Sequence, residues 1–125
     1  MTSSLTVARH RINLEHLRVE TEASIKVMQA TYDELDPEEA ASDVGAGEDE
    51  GGSEGDLTRF ERDRLRARIA EENIFLEVIA AAVERSHTKT WKTCIKCGKP
   101  IGEPRLEALP ATDLCVICKA DRASW

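Results

Sequence analysis

Aromatic side chains are scarce in this sequence, which has two Trp, one Tyr and two Phe among its 125 residues. Charged residues, by contrast, make up 33% of the chain. A compact globular core normally needs more bulky apolar side chains than this. The composition therefore favours an elongated, mainly helical molecule, and the length fits a single domain.

Long apolar runs are also missing, since spanning a membrane takes about 20 apolar residues and no such run occurs. The first residues, MTSSLTVARHRINLEHL, lack the apolar centre of a signal peptide. We therefore predict a cytoplasmic protein with no membrane partner. Because thiols stay reduced in the cytoplasm, its four cysteines favour a metal site over disulfides.

Basic residues are absent between Asp33 and Asp56, where eleven of the 24 carboxylates lie. The rest of the chain holds 17 basic and 13 acidic residues, a balance of +4. A net charge of −7 argues against a dedicated nucleic-acid binder. Five of the seven glycines fall in DVGAGEDEGGSEGD, residues 43–56, which predicts a flexible acidic loop.

Glycine and proline are absent from residues 5–35, so this stretch is predicted to form one long helix. A second helix is predicted from a capping box of Thr58 and Glu61. Each helix carries one narrow stripe at spacings of three or four. The stripes are Leu14, Leu17, Thr21, Ile25, Met28, Tyr32 and Leu35, then Leu65, Ile69, Leu76, Ile79 and Val83, with Glu72 as a polar exception.

Two single-stripe helices joined by a loop predict an antiparallel hairpin, in which each helix covers the stripe of the other. The predicted segments are a first helix, an acidic tip with its loop, a second helix, and a zinc finger with its tail: 1–35, 36–56, 57–88 and 89–125. Five arginines near the start of the second helix form either a solvated face or a contact surface for an acidic partner: Arg59, Arg62, Arg64, Arg66 and Arg68.

The strongest motif is a pair of C-x-x-C sequences seventeen residues apart, which supplies four thiol ligands: Cys94, Cys97, Cys115 and Cys118. Four thiolates fill the tetrahedral shell of one structural zinc ion, and such a closed shell leaves no place for a substrate. Iron could use the same sulfurs, and a dithiol redox centre is a weaker alternative. No histidine has the H-x-E context of a zinc deaminase. We therefore predict a protein that is not an enzyme.

The segment CIKCGKPIGEPRLEALPATDLCVIC closely resembles the zinc-finger signature of the DksA/TraR family. The similarity includes both C-x-x-C pairs with Gly98, the Arg105–Ala108 run, and Leu114 before the second pair. The preceding hairpin matches in kind and order but is much weaker in sequence.

This resemblance implies a bacterial transcription regulator that binds RNA polymerase. Family members insert the hairpin into the secondary channel of the polymerase, where an acidic tip alters the stability of promoter complexes. Some members act with ppGpp, which makes ppGpp a candidate co-regulator, although no residues here clearly match its contacts. The zinc end is expected to support the base of the hairpin.

The family tip carries Asp-Pro-x-Asp-x-Ala, and this chain has Asp36-Pro37-Glu38-Glu39-Ala40-Ala41. The resemblance places Asp36, Glu39 and Ala41 at the tip, with Glu39 in place of the second Asp. Residues 42–56 are then an insertion. An alignment without a gap would instead put the acidic pair at Gly51 and Glu54, which breaks the motif.

A zinc-anchored helical module that binds another protein or nucleic acid remains the alternative function. In that case Lys89, Lys92, Lys96 and Lys99 would contact nucleic acid, although the balance of +3 over residues 89–122 is modest. A small core around the metal is predicted from Trp91, Ile101, Leu106, Leu109 and Leu114.

Overall fold

The structure is a computed structural model that describes residues 5–35 and 54–123. Four helices lie in these ranges: α1 at Val7–Glu34, α2 at Glu54–Arg85, α3 at Glu103–Ala108 and α4 at Val116–Ala123. Within the described part of the chain there is no strand, and the only β pairing is an isolated antiparallel bridge. None of the described helices has an apolar stretch long enough to cross a membrane.

Helix α1 begins after a side-chain cap, because the hydroxyl of Thr6 accepts the N–H of Arg9 at 3.1 Å. Helix α2 begins at Glu54, three residues before the expected start, and Asp56 lies in its first turn as an ion-pair partner of Arg59. It ends at Arg85, and the chain continues as tighter turns in which Thr88 N–H donates to Arg85 O at 2.9 Å. The second helix was predicted to extend to residue 88, and these turns form the last three residues of that predicted segment.

The chain divides into two compact units. We call residues 1–20 and 76–125 the finger unit, and residues 21–75 the helix-pair unit. Each unit contains part of α1 and part of α2.

In the finger unit, the start of α1 packs against the end of α2. Arg11 donates from Nε to Ser86 Oγ at 3.0 Å and from Nη2 to Ser86 O at 3.1 Å. Leu14 and Ile79 are fully buried, as their positions in the two stripes predict. The pairing of one helix start with the other helix end is that of an antiparallel hairpin.

In the helix-pair unit, the end of α1 packs against the start of α2. Arg62 and Arg66 on α2 both contact Tyr32 on α1. Every residue predicted for the two stripes is buried or half-buried, including the polar Glu72. The predicted fold class, a mainly α antiparallel hairpin followed by a small four-cysteine module, is confirmed.

Candidate metal centre

The first cysteine pair lies on a tight turn. Thr93 and Pro100 form the antiparallel bridge that closes this turn. Inside it, Gly98 N–H donates to Cys94 O at 3.0 Å. Gly98 has φ +78, a left-handed conformation that residues with a Cβ rarely adopt, while a Cβ there would meet open space. The constraint is therefore conformational, and the turn carries Cys94 and Cys97 on one side of the chain.

The second cysteine pair lies at the start of α4. Cys118 N–H points to Cys115 Sγ at 3.5 Å, as in other thiolate turns that receive backbone N–H groups. The two turns are joined by the backbone, because Ile95 N–H donates to Asp113 O at 3.0 Å. This bond fixes the second turn beside the first.

The four sulfurs converge. All four Sγ atoms lie within 4.8 Å of one another, and Cys97 Sγ is 3.8 Å from Cys115 Sγ. Zinc–sulfur bonds of about 2.3 Å in a tetrahedron place the sulfurs about 3.8 Å apart. The thiols form no disulfide. Geometry and donor type therefore fit one zinc ion, and Cys94, Cys97, Cys115 and Cys118 would hold it.

The four thiols can all be deprotonated at this distance only if a cation binds among them. Desolvation alone would raise the pKa of Cys94, but the backbone N–H groups of Cys97, Cys115 and Lys96 oppose it and lower that pKa to about 6. Burial, and next the neighbouring thiols, raise the pKa of Cys118 to about 12. Four thiolates this close repel one another, and a bound divalent cation supplies the positive charge that keeps all four deprotonated.

A small apolar core supports the metal centre. Its buried members come from three parts of the finger unit: Leu5, Cys94, Ile101, Leu106, Leu114 and Cys118, with Trp91 and Cys115 packed against them. Leu109 was predicted in this core but is 50% exposed, because it follows the end of α3 and points to solvent. Leu5, which precedes the first helix and lies 89 positions before Cys94 in the sequence, was not predicted in this core.

Polar contacts tie the surrounding segments to this core. Glu103 Oε1 accepts the N–H of Leu5 at 3.0 Å, and Glu103 Oε2 accepts from Lys92 Nζ at 2.8 Å. Arg105 donates from Nε to Leu114 O at 3.0 Å, directly before the second cysteine pair. These bonds hold α3 and the N-terminal residues around the metal centre.

His10 and His87 lie in the finger unit and are not part of the sulfur cluster. His10 is 2% exposed, and its ring stacks on Trp91 with centroids 4.7 Å apart. Its Nδ1 is buried without a protein hydrogen-bond partner. Burial first, and then the charge of Arg85, lower the pKa of His10. His87 is exposed and its Nδ1 lies 3.0 Å from Arg11 Nη2, so it is not a fifth metal ligand.

The predicted tip residues Asp36, Glu39 and Ala41 lie outside the described residues, and their assignment stays a prediction. The last described residue before them is Leu35. Sequence reasoning missed the role of Arg62, which contacts the end of α1. Its signal was present, because Arg62 lies three residues before Leu65 and so shares the stripe that faces α1.

The described residues form a helical hairpin followed by a four-cysteine metal module, and this combination defines a class of helical zinc-finger proteins. Residues 89–122 match the family model described as the prokaryotic dksA/traR C4-type zinc finger. The structure of transcription factor DksA2 from Pseudomonas aeruginosa is similar, with a TM-score of 0.73 and 23% sequence identity. That match covers 94% of this chain and 83% of the other. No curated protein matches the chain significantly in sequence.

The resemblance inferred from the sequence is therefore confirmed. Residues 89–122 match the zinc-finger model of the DksA/TraR family, and the chain has the fold of DksA2. The zinc assignment is confirmed with it, because the family is of the C4 type and the four cysteines are positioned to bind one metal ion.

Proposed function

We propose that this protein is a cytoplasmic DksA-like regulator that binds RNA polymerase through its secondary channel and modulates transcription. The observation that carries the proposal is the combination, in one chain, of a DksA/TraR zinc finger and the fold of DksA2. In this proposal the zinc ion has a structural role, because four sulfur ligands fill its coordination shell. The regulator performs no covalent chemistry.

The acidic segment that follows α1 would act inside the channel. Asp36 and Glu39 would present carboxylates, and Ala41 would complete the tip. The sequence supports this role, because eleven carboxylates and no basic residue lie between Asp33 and Asp56. Such a concentration of negative charge suits a basic channel that leads to bound metal ions.

The test measures the lifetime of open promoter complexes formed by cognate RNA polymerase, with and without the protein. The wild type is expected to change this lifetime. The double variant Asp36→Asn, Glu39→Gln is expected to bind polymerase but to lose most of the effect. The matched control is Asp49→Asn, Glu50→Gln, which removes the same charge from the glycine-rich stretch and should retain the effect. If the wild type neither binds polymerase nor alters the complexes, the proposal fails.

The same titrations, repeated with and without ppGpp, determine whether ppGpp is a co-regulator. A separate arm tests nucleic-acid binding. The cations to test are Lys92, whose Nζ lies 2.8 Å from Glu103 Oε2, and the exposed Lys89, Lys96 and Lys99. Binding to promoter DNA or RNA that weakens steeply with salt, in the absence of polymerase binding, would favour the nucleic-acid alternative.

A further inference from the structure

The end of α1 is capped by a side chain from α2. The last carbonyls of a helix have no partner within the helix and need one from elsewhere. Arg62 Nη1 donates to Tyr32 O at 3.0 Å and also to Leu35 O. These two carbonyls belong to the last turn of α1 and to the residue that follows it. One guanidinium group thus donates to two acceptors at this helix end, of which Tyr32 O also accepts the N–H of Leu35 at 3.1 Å.

Tyr32 serves as a platform for the same guanidinium. The Cζ atom of Arg62 lies 3.9 Å from the centroid of the Tyr32 ring, within the range of a cation–π contact. Arg66 donates from Nη2 to the Tyr32 hydroxyl at 2.8 Å. This hydrogen bond is the main cause of a lowered pKa at Tyr32. The ring is therefore held on its face by one arginine and at its hydroxyl by another.

The planar shape of the guanidinium matters here. It can stack on the ring with its face while it donates hydrogen bonds from its edge, which an ammonium group cannot do in the same geometry. Arg62 is half-buried, which also limits the number of conformations it can adopt. The contact is thus specific to arginine at this position.

Neighbouring arginines on α2 make contacts of a different kind. Arg59 pairs with Asp56, and Arg68 Nη2 lies 4.0 Å from Glu72 Oε2, so both have partners on their own helix. Arg68 is also well exposed, with 61% of its side chain accessible. It therefore supplies a control for the loss of one positive charge on the same helix.

We propose that Arg62 is a positioning residue that fixes where α1 ends and the direction in which the chain leaves Leu35. Asp36 and Pro37 follow immediately in the sequence, so this contact sets the starting point of the acidic segment. The inference rests on the proposed function, in which Asp36 and Glu39 act on polymerase. Arg62 itself need not touch the polymerase.

The first experiment is independent of polymerase and measures amide hydrogen exchange in the full-length, zinc-loaded protein. In Arg62→Gln, the amides of residues 31–35 are expected to exchange at least fivefold faster than in the wild type. Arg68→Gln should leave them within twofold. Tyr32→Leu removes the platform and should accelerate exchange, whereas Tyr32→Phe keeps the ring and should have a smaller effect. Unchanged exchange in Arg62→Gln would overturn the proposal.

The second experiment titrates the same variants against polymerase and follows promoter-complex lifetime. Arg62→Gln is expected to reduce the maximum effect at least threefold while the half-saturating concentration stays within twofold. Simple loss of folded protein would instead shift the half-saturating concentration and leave the maximum unchanged. Arg62→Lys keeps the positive charge, but an ammonium group cannot stack on Tyr32 and donate both hydrogen bonds in the same geometry. This variant should therefore not restore the maximum effect on promoter-complex lifetime.

The two experiments separate this inference from the proposed function. One outcome is that Arg62→Gln exchanges faster at residues 31–35 and still has the full maximum effect on promoter-complex lifetime. In that case Arg62 holds the helix end without consequence for regulation, and the proposed positioning role is wrong. If the wild type has no effect on polymerase, the proposed function fails. The exchange data alone then decide whether Arg62 holds the end of α1.

Discussion

The two units of the chain differ sharply in how much they bury. Among the residues whose side chains the structure describes, the helix-pair unit has one buried member, Thr21. The other buried residues all belong to the finger unit: Leu5, His10, Leu14, Ile79, Ala82, Ser86, Cys94, Ile101, Leu106, Ala111, Leu114 and Cys118. Two helices that share a single seam leave most of each stripe half-exposed, whereas the finger unit adds a third set of segments that covers the helix ends.

This difference has a consequence for dynamics. A region with little buried apolar surface opens locally at a low cost in free energy, and functional elements that move are drawn from such regions. We expect the helix-pair unit to exchange its amides faster than the finger unit. The contacts that matter most in it are then local and polar, such as those of Arg62 with the end of α1.

The largest expected effect is loss of the finger when one zinc ligand is removed. Cys115→Ser should lower bound zinc well below one ion per chain and disorder residues 91–122, while α1 and α2 keep part of their helicity. The reason is that a core this small depends on metal binding for its folding free energy. Metal analysis, far-UV circular dichroism and NMR dispersion measure the result. Val116→Ala, an exposed neighbour, is the control. Normal zinc content and an unchanged melting temperature in Cys115→Ser would contradict the four-thiolate site.

Zinc binding should also release protons. The finger depends on zinc for its folding, so the metal-free thiols are those of a disordered segment, and the ordinary cysteine pKa of about 8.5 leaves most of them protonated at pH 7.5. About three to four protons should therefore leave per zinc, and affinity should rise with pH. Calorimetric titrations in buffers of different ionisation enthalpy count these protons. A count of zero would be inconsistent with thiol ligands.

A matched pair of core substitutions on α2 tests the comparison of the two units directly. Ile79 is 1% exposed in the finger unit, and Ile69 is half-buried in the helix-pair unit. Ile79→Ala should lower the free energy of unfolding by about 2–4 kcal/mol, through lost transfer energy and a residual cavity. Ile69→Ala should cost about half as much, because its site can relax toward solvent. Urea titrations in excess zinc measure both. Equal costs would show that the two units are equally well packed.

The sequence predicted the mainly helical fold and the cluster of four cysteines, because both are specified by local spacing. Stripes at intervals of three and four depend on helix geometry alone, and two C-x-x-C pairs are enough to define a four-sulfur site. Leu5 could not be found in this way, since it is buried among residues of the finger core and its N–H donates to Glu103, 98 positions away. The exposure of Leu109 likewise depends on where α3 ends.

Arg62 and His10 show a second limit of sequence reasoning. Both are polar residues with half-buried or buried side chains, and composition treats them as surface residues. Their partners, Tyr32 for one and Trp91 for the other, become neighbours only after the helices pair or the finger folds. The spacing of Arg62 from Leu65 indicated the correct face of α2 but not the carbonyl groups it would contact.

Protonation of His10 in the finger unit is expected to have a smaller effect on stability than the core substitutions. Burial, and secondly Arg85, lower its pKa in the folded state, so the unfolded chain binds the proton more tightly. Stability from the neutral ring is therefore complete above about pH 6.5 and is lost as pH falls through the folded-state pKa. His10→Phe keeps an aromatic ring beside Trp91 and should flatten this dependence. Melting temperatures of both proteins between pH 7.5 and 5.5, in excess zinc, measure the difference. Parallel curves would assign the pH dependence to other groups.

Removing an ion pair is expected to have the smallest effect on the free energy of unfolding. The effect should be larger in the finger unit than in the helix-pair unit. Glu103 pairs with Lys92 at 2.8 Å and also accepts the N–H of Leu5, whereas Glu72 lies 4.0 Å from the exposed Arg68. The hydrogen bond from Lys92, and next that from Leu5, lower the pKa of Glu103. Its contribution is thus present above the pKa of an unfolded carboxyl and fades as pH falls through the folded value.

Glu103→Gln should lower the free energy of unfolding only slightly, because the pair is partly exposed and the amide oxygen can still accept from Leu5. Glu72→Gln should lower it less, because its partner Arg68 is more exposed. Combining Glu103→Gln with Lys92→Met isolates the pairwise term, since a real coupling makes the double variant less destabilised than the sum of the single ones. Additive costs would mean that Glu103 and Lys92 are not energetically coupled. The stability of the finger unit would then not depend on this charge pair.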